Sequence, residues 1–309
     1  MGQTNVTTLA RLRDHRLFAA LRKDRGHPRE RWLLRSASEP AHLTAMLGIR
    51  RVTFCLVVLF GATALASGTR DGASPSTAPA NPFAGSDPYQ ECVAAIAKKA
   101  DDAFEMALIW RDRGGGAQAE HCAALALLSL DEPGEAASRL DALAQRPDAG
   151  TPGQRAALLG QAGNAWLLAN QPENAETAFS AALRLMAQDA ELWVDRARAR
   201  AARQDWANAE ADLNTAIGLD RGKAENFVLR ASARHAQRND PGYRTDINAA
   251  LALDPTFPDA LVERGTMRMQ AGDAAGARAD FLQVLLRAPD SPAADTVRRQ
   301  IEALEVHDR

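Results

Sequence analysis

The feature that most restricts the fold of this chain is a 34-residue period that runs from about residue 156 to residue 291. At successive steps of 34, Gly163, Ala197, Ala231 and Gly265 place a small residue in the first half of each unit. In the second half Ala175, Ala209 and Ala277 recur, followed four residues later by Phe179, Leu213 and Phe281, with Ile247 at that place in the third unit. Ala182, Ala216 and Ala250 extend the series, and Pro255 and Pro289 close two of the units. Apolar residues come three and four apart and β-branched runs are rare outside one segment, so both halves read as helices. Small side chains let two helix backbones approach, and large ones fill the space between units, which makes each unit a hairpin stacked on the next. Asp205, Asn239 and Asp273, again 34 apart, stand where the second helices begin and carry N-cap side chains.

The first helices read Leu159-x2-Ala162-Gly163-x2-Trp166, Trp193-x2-Arg196-Ala197-x2-Arg200, Phe227-x2-Arg230-Ala231-x2-Arg234 and Leu261-x2-Arg264-Gly265-x2-Arg268. With the alanine and aromatic positions that follow, this resembles the tetratricopeptide-repeat (TPR) family, a 34-residue helix–turn–helix. The resemblance implies an all-α, right-handed helical solenoid. Its units are predicted at 156–189, 190–223, 224–257 and 258–291, followed by a capping helix and tail over 292–309. Arg298, Arg299, Glu302 and Glu305 give that helix the polar outer face a solenoid end requires. Upstream, a divergent part over 88–155 holds a degenerate unit at about 117–150, started by Asp131-Glu132-Pro133 and offset by a five-residue insertion, Thr151 to Arg155. Before it, Tyr89–Ala100 and Asp102–Arg113 form another pair, closed by Gly114-Gly115-Gly116, for six helix pairs and a terminal helix in all. Tyr243 stands where the other units carry alanine and, beside Pro241-Gly242, predicts a shifted or shortened helix.

The N-terminal region follows different rules. Arg50 and Arg51 precede the apolar run Val52–Ala66, which ends in Ala64-Leu65-Ala66, the small-x-small pattern of a signal-peptide cleavage site. The reading is a signal peptide over 46–66, cut after Ala66, with Met46 as the start and the Arg-rich residues 1–45 as a non-native extension. An anchor through 52–66 is the alternative, although that run is shorter than the roughly 20 residues a spanning helix needs. A Ser-, Gly-, Ala- and Pro-rich linker over 67–87 follows. Of the 37 basic and 39 acidic residues, 11 and 4 fall in 1–66, which leaves 26 and 35 and a formal charge of −9 for 67–309. Such a body repels a phosphate backbone, so no nucleic-acid partner is expected.

No catalytic constellation stands out, and the chain is read as a non-enzyme with no cofactor and no metal site. His235 and His307 are isolated, no His or Cys pair has zinc spacing, and the three glycines lack the Lys-Ser/Thr of a phosphate loop. Trp110–Gly116 with Glu120-His121-Cys122 is similar to a stretch in bacterial envelope TPR proteins. Neighbouring helical residues diverge by about 100°, so His121 is poorly placed to activate Cys122. Cys92 and Cys122 are instead disulfide candidates for an oxidising compartment such as the periplasm. Arg196, Arg230 and Arg264 recur with Arg200, Arg234 and Arg268, and Asp212, Asp246 and Asp280 share their period, which favours pairing across each hairpin over an arginine-lined groove. The TPR resemblance implies a partner-binding groove at Glu191, Val194, Arg198, Glu225, Val228, Ser232, His235, Asp259, Val262, Thr266 and Met269. The function this implies is an exported scaffold for a protein or peptide partner, with a constitutive structural subunit as the second reading and an envelope enzyme as a remote third.

Overall fold

The computed structural model describes residues 87–307. The extension, the signal peptide with its cleavage site and nearly all of the linker predicted above lie outside the described residues. Among the described residues there are thirteen α-helices and no strands. The first four are α1 (Pro88–Ile96), α2 (Ala100–Trp110), α3 (Gly116–Ser129) and α4 (Pro133–Gln145). The repeat region comprises α5 (Pro152–Leu168) with α6 (Pro172–Leu185), α7 (Ala190–Ala202) with α8 (Trp206–Leu219), α9 (Ala224–Ala236) with α10 (Asp240–Leu253), and α11 (Pro258–Gln270) with α12 (Ala274–Arg287). A final helix, α13 (Pro292–His307), packs on α12 and α11. Each helix packs chiefly on the one before and the one after, as a solenoid requires.

The turn inside each hairpin is the same device repeated. Asn170, Gln204, Arg238 and Gly272, at intervals of 34, all adopt the left-handed conformation, with φ of 57°, 62°, 60° and 80°. The next amide in each case, from Gln171, Asp205, Asn239 and Asp273, donates to the carbonyl of Trp166, Arg200, Arg234 and Arg268 at 2.8–2.9 Å. These six-to-one bonds close a Schellman turn and offset a left-handed backbone that costs a non-glycine residue about 1–2 kcal/mol. Asp131 has the same geometry, φ 64°, with Glu132 donating to Leu127. It precedes Asn170 by 39 residues, so the α3–α4 hairpin is a unit of the same kind, displaced by five. Asp205, Asn239 and Asp273 then cap the second helices by accepting from the amides of Asn208, Gly242 and Gly276.

Three expectations need correction. Thr151–Arg155 is not set apart from the helix that follows: Thr151 caps α5 in a reciprocal capping box with Gln154, and Pro152 opens it, so the extra residues become an added first turn. The first helix ends at Ile96, before Ala100, and the second at Trp110, where one wide turn over Arg111–Gly115 leads into α3 through left-handed Gly114 and Gly116. Tyr243 neither shifts nor shortens its helix. α10 has 14 residues, as α6, α8 and α12 do, and the tyrosine side chain is buried with its hydroxyl donating to Glu263 Oε2 at 2.5 Å. In α13, Ala294 and Val297 are buried while Arg298, Arg299 and Glu302 face solvent; the Glu305 side chain lies outside the described residues.

Core packing follows a size rule between the helices of one hairpin. A methyl group added at Gly163 would come within 2.5 Å of the Phe179 ring, and one at Gly265 within 2.4 Å of Phe281. Ala197 and Ala231 occupy the equivalent places in the other two units, and there the facing residue is the smaller Leu213 or Ile247. Glycine therefore accompanies phenylalanine, and alanine accompanies leucine or isoleucine. Gly163→Ala is expected to lose about 1–3 kcal/mol through overpacking, outweighing the roughly 1 kcal/mol gain in helix propensity. Adding Phe179→Leu to that variant should recover part of the loss, as urea titration would show. A stability gain for Gly163→Ala alone would refute the packing account.

Candidate functional site

The predicted groove positions lie on α7, α9 and α11, and ion pairs cross between the first two of them. Arg198 on α7 donates to Glu225 Oε1 on α9 at 2.6 Å and to Asp195 on its own helix at 2.9 Å. Lys223, at the start of α9, pairs with Glu191 on α7. Glu191, Arg198 and Glu225 thus neutralise charges across the joint of the second and third units. The three valines assigned to the groove do not reach its surface. Val194 and Val262 are buried in the core clusters, and Val228 is only 9% exposed. A valine buried to this depth cannot touch a partner without repacking.

The remaining predicted residues are more available. Ser232 and Thr266 are half-buried, and each hydroxyl donates to the carbonyl four residues earlier, Val228 and Val262. His235 is exposed, with its ring tilted against Tyr243 at 4.9 Å between centroids and Nδ1 3.9 Å from Asp240. Met269 is half-buried. Asp259 has no ion-pair partner among the described residues, and its carboxyl is raised above the usual range by partial desolvation and then by the charge of Glu225. Glu263 was missed. Burial raises its carboxyl, the Tyr243 hydroxyl bond opposes that, and the neighbouring Asp259 adds to it. Its position four residues after Asp259 places both acids on one face of α11, which could have brought it into the candidate set.

The arginine ladder is architecture. Arg196, Arg230 and Arg264 each make a forked pair with Asp212, Asp246 and Asp280, at 2.9 and 2.7, 3.0 and 2.6, and 3.0 and 2.7 Å. Arg200, Arg234 and Arg268 reach the same carboxylates at 2.8–2.9 Å. All three aspartates are buried, so each is an internal anion held by two guanidinium groups.

In the N-terminal part Cys92 and Cys122 form a disulfide that joins α1 to α3, with 6.3 Å between Cα atoms. The adjacent His121 is buried between the Tyr89 hydroxyl at Nδ1 and Gln161 Oε1 at Nε2, both at 2.7 Å. The amide oxygen can only accept, so Nε2 carries the proton and Nδ1 accepts from the tyrosine. Desolvation lowers the imidazole pKa and keeps the ring neutral. With its sulfur in the disulfide and both histidine nitrogens engaged, Glu120-His121-Cys122 is a pin between α1, α3 and α5 and offers no nucleophile. Among the described residues no three His, Cys, Asp or Glu side chains gather in a way that could hold a metal ion.

No family model matches the sequence, and no curated protein does. Solved structures do. IFIT1, in a monomeric mutant with m7Gppp-AAAA, superposes with a TM-score of 0.54 at 11% identity over 72% of this chain and 53% of IFIT1. The chain has the tetratricopeptide-repeat fold. MamA (41-end) from Desulfovibrio magneticus RS-1 gives a TM-score of 0.48 at 20% identity, covering 57% of this chain and 97% of MamA. YrrB, described as a TPR protein with an unusual peptide-binding site, gives 0.45 at 17% identity, covering 62% of this chain and 96% of YrrB. The likeness to IFIT1 agrees with the internal evidence of a TPR solenoid, four 34-residue hairpins with one turn geometry and one ladder of clamped aspartates.

Proposed function

We propose that this TPR solenoid is an exported, non-catalytic scaffold of the cell envelope that binds an extended peptide or a helix of a protein partner along α9 and α11. The observation that carries the reading is a contrast in charge satisfaction. Each aspartate of the ladder is clamped by two arginines, whereas Asp259 at the start of α11 has no ion-pair partner among the described residues, and the half-buried Thr266 and Met269 follow it along the same helix. A partner bearing cationic and apolar groups would satisfy that surface. The site thus contracts from the eleven predicted positions to Ser232, His235, Asp259, Thr266 and Met269, with Glu263 added. Export is supported by the charged and apolar pattern of 46–66 and by a disulfide, which persists in oxidising compartments. No helix among the described residues is long and apolar enough to cross a membrane.

The constitutive-subunit reading has its own observation: Leu185, Leu219 and Leu253 are exposed at 34-residue intervals on the second helices. Photo-crosslinking side chains placed at 235, 259 and 219 separate the two in cells. The scaffold reading expects one shared partner band from positions 235 and 259 and none from 219. A band from 219 alone would transfer the interface to the second helices and overturn the proposed groove.

A further inference from the structure

The repeats stack unevenly. Four residues connect α10 to α11, as four connect α8 to α9, yet α10 and α11 touch far less extensively than the earlier pair. Tyr243 occupies this joint. Where the other units have alanine, its buried ring bridges from α10 to Glu263 on α11. Toward the C-terminal end of α10 the joint opens into a cleft of about 440 Å³. That is within the roughly 300–1,000 Å³ of ordinary ligand clefts.

The cleft has two chemical halves. Leu251 and Pro255 form an apolar side, and Leu286 on α12 forms another while 77% exposed, an unusual state for leucine that Leu282 shares one turn earlier. Arg264 and Arg287 supply the cationic half. Arg264 is already committed to Asp280, but Arg287 has no ion-pair or hydrogen-bond partner among the described residues. A guanidinium beside uncovered leucine selects for an apolar side chain next to a carboxylate.

We infer that the joint between the third and fourth units is a second docking site, for a partner segment that presents a leucine-type side chain beside an acidic residue. It lies apart from the groove of α9 and α11 and favours the opposite charge. The test uses the full chain and a fluorescent amphipathic peptide with leucines four apart, each followed by glutamate, against the same peptide with lysine in place of glutamate. Anisotropy should show saturable binding of the glutamate peptide alone. Leu286→Ser and Arg287→Glu, both on the exposed end of α12, should each weaken it about tenfold or more, while Asp259→Ala leaves it unchanged. Equal binding of both peptides, or affinity indifferent to Leu286→Ser, would overturn the inference. So would a sedimentation result in which the chain dimerises and Leu286→Ser dissolves the dimer, because a second copy would then cover the cleft.

Discussion

Asp246→Ala is expected to lower the unfolding free energy by about 3–5 kcal/mol, the range for removing one member of a buried ionic cluster. Asp246 is 1% exposed and accepts from Arg230 at 3.0 and 2.6 Å and from Arg234 at 2.9 Å. The two arginines also reach back to the preceding unit, Arg230 to Asn214 at 2.8 Å and Arg234 to Glu210 at 2.8 Å. One carboxylate therefore orients the side chains that tie α8, α9 and α10 together. Without it, two poorly solvated guanidinium groups face each other, and desolvation and repulsion act in the same direction. Arg230→Ala should cost less, about 1–3 kcal/mol, because Arg234 still neutralises the aspartate. Urea unfolding followed by circular dichroism gives the order. A loss below about 1 kcal/mol for Asp246→Ala would show that the ladder is not structural, and would return its arginines to the list of partner-binding groups.

How far the fold could be read in advance depended on whether a requirement was local. The N-caps were legible because Asp205, Asn239 and Asp273 satisfy the amides of their own helices. The ladder was legible because both charges share the repeat. The left-handed turn residues were not: only Gly272 carries the usual marker, while Asn170, Gln204 and Arg238 are held there by the six-to-one bonds around them. Tyr243 was misjudged because a break in a small-residue series can be absorbed by the next unit, and sequence does not tell which unit moves. The depth of the three groove valines was not legible for a related reason. A register taken from the TPR resemblance assigns a face, but depth depends on the packing of the surrounding helices, and Val194, Val228 and Val262 are buried. Replacing Val228 by glutamate would therefore probe the core, and tests of the groove belong at His235 and Asp259.

Replacing both cysteines, Cys92→Ala with Cys122→Ala, should cost about 3–4 kcal/mol in the chain-entropy picture, since the bond closes a loop across a sequence separation of 30. In a solenoid this loss need not spread. Stability there is a sum of unit and neighbour terms, so a destabilised end can open while the centre stays folded. α1 and α2 lie outside the four regular units, and the buried core they share is small: Tyr89, Cys92, Ala107, Cys122 and Ala123. What remains after the bond is removed is the packing of the half-buried Val93, Ile96, Phe104, Leu108 and Trp110 and the Tyr89–His121–Gln161 chain of hydrogen bonds, which needs α1 in place to form. Hydrogen exchange on the double variant should accordingly show amides of 88–129 losing protection while those of 190–287 keep it. Urea unfolding should change from one transition to two. Uniform loss of protection along the chain would mean that the disulfide stabilises the solenoid as a single cooperative unit. No change anywhere would mean that the packing around Tyr89 and His121 alone holds α1 in place.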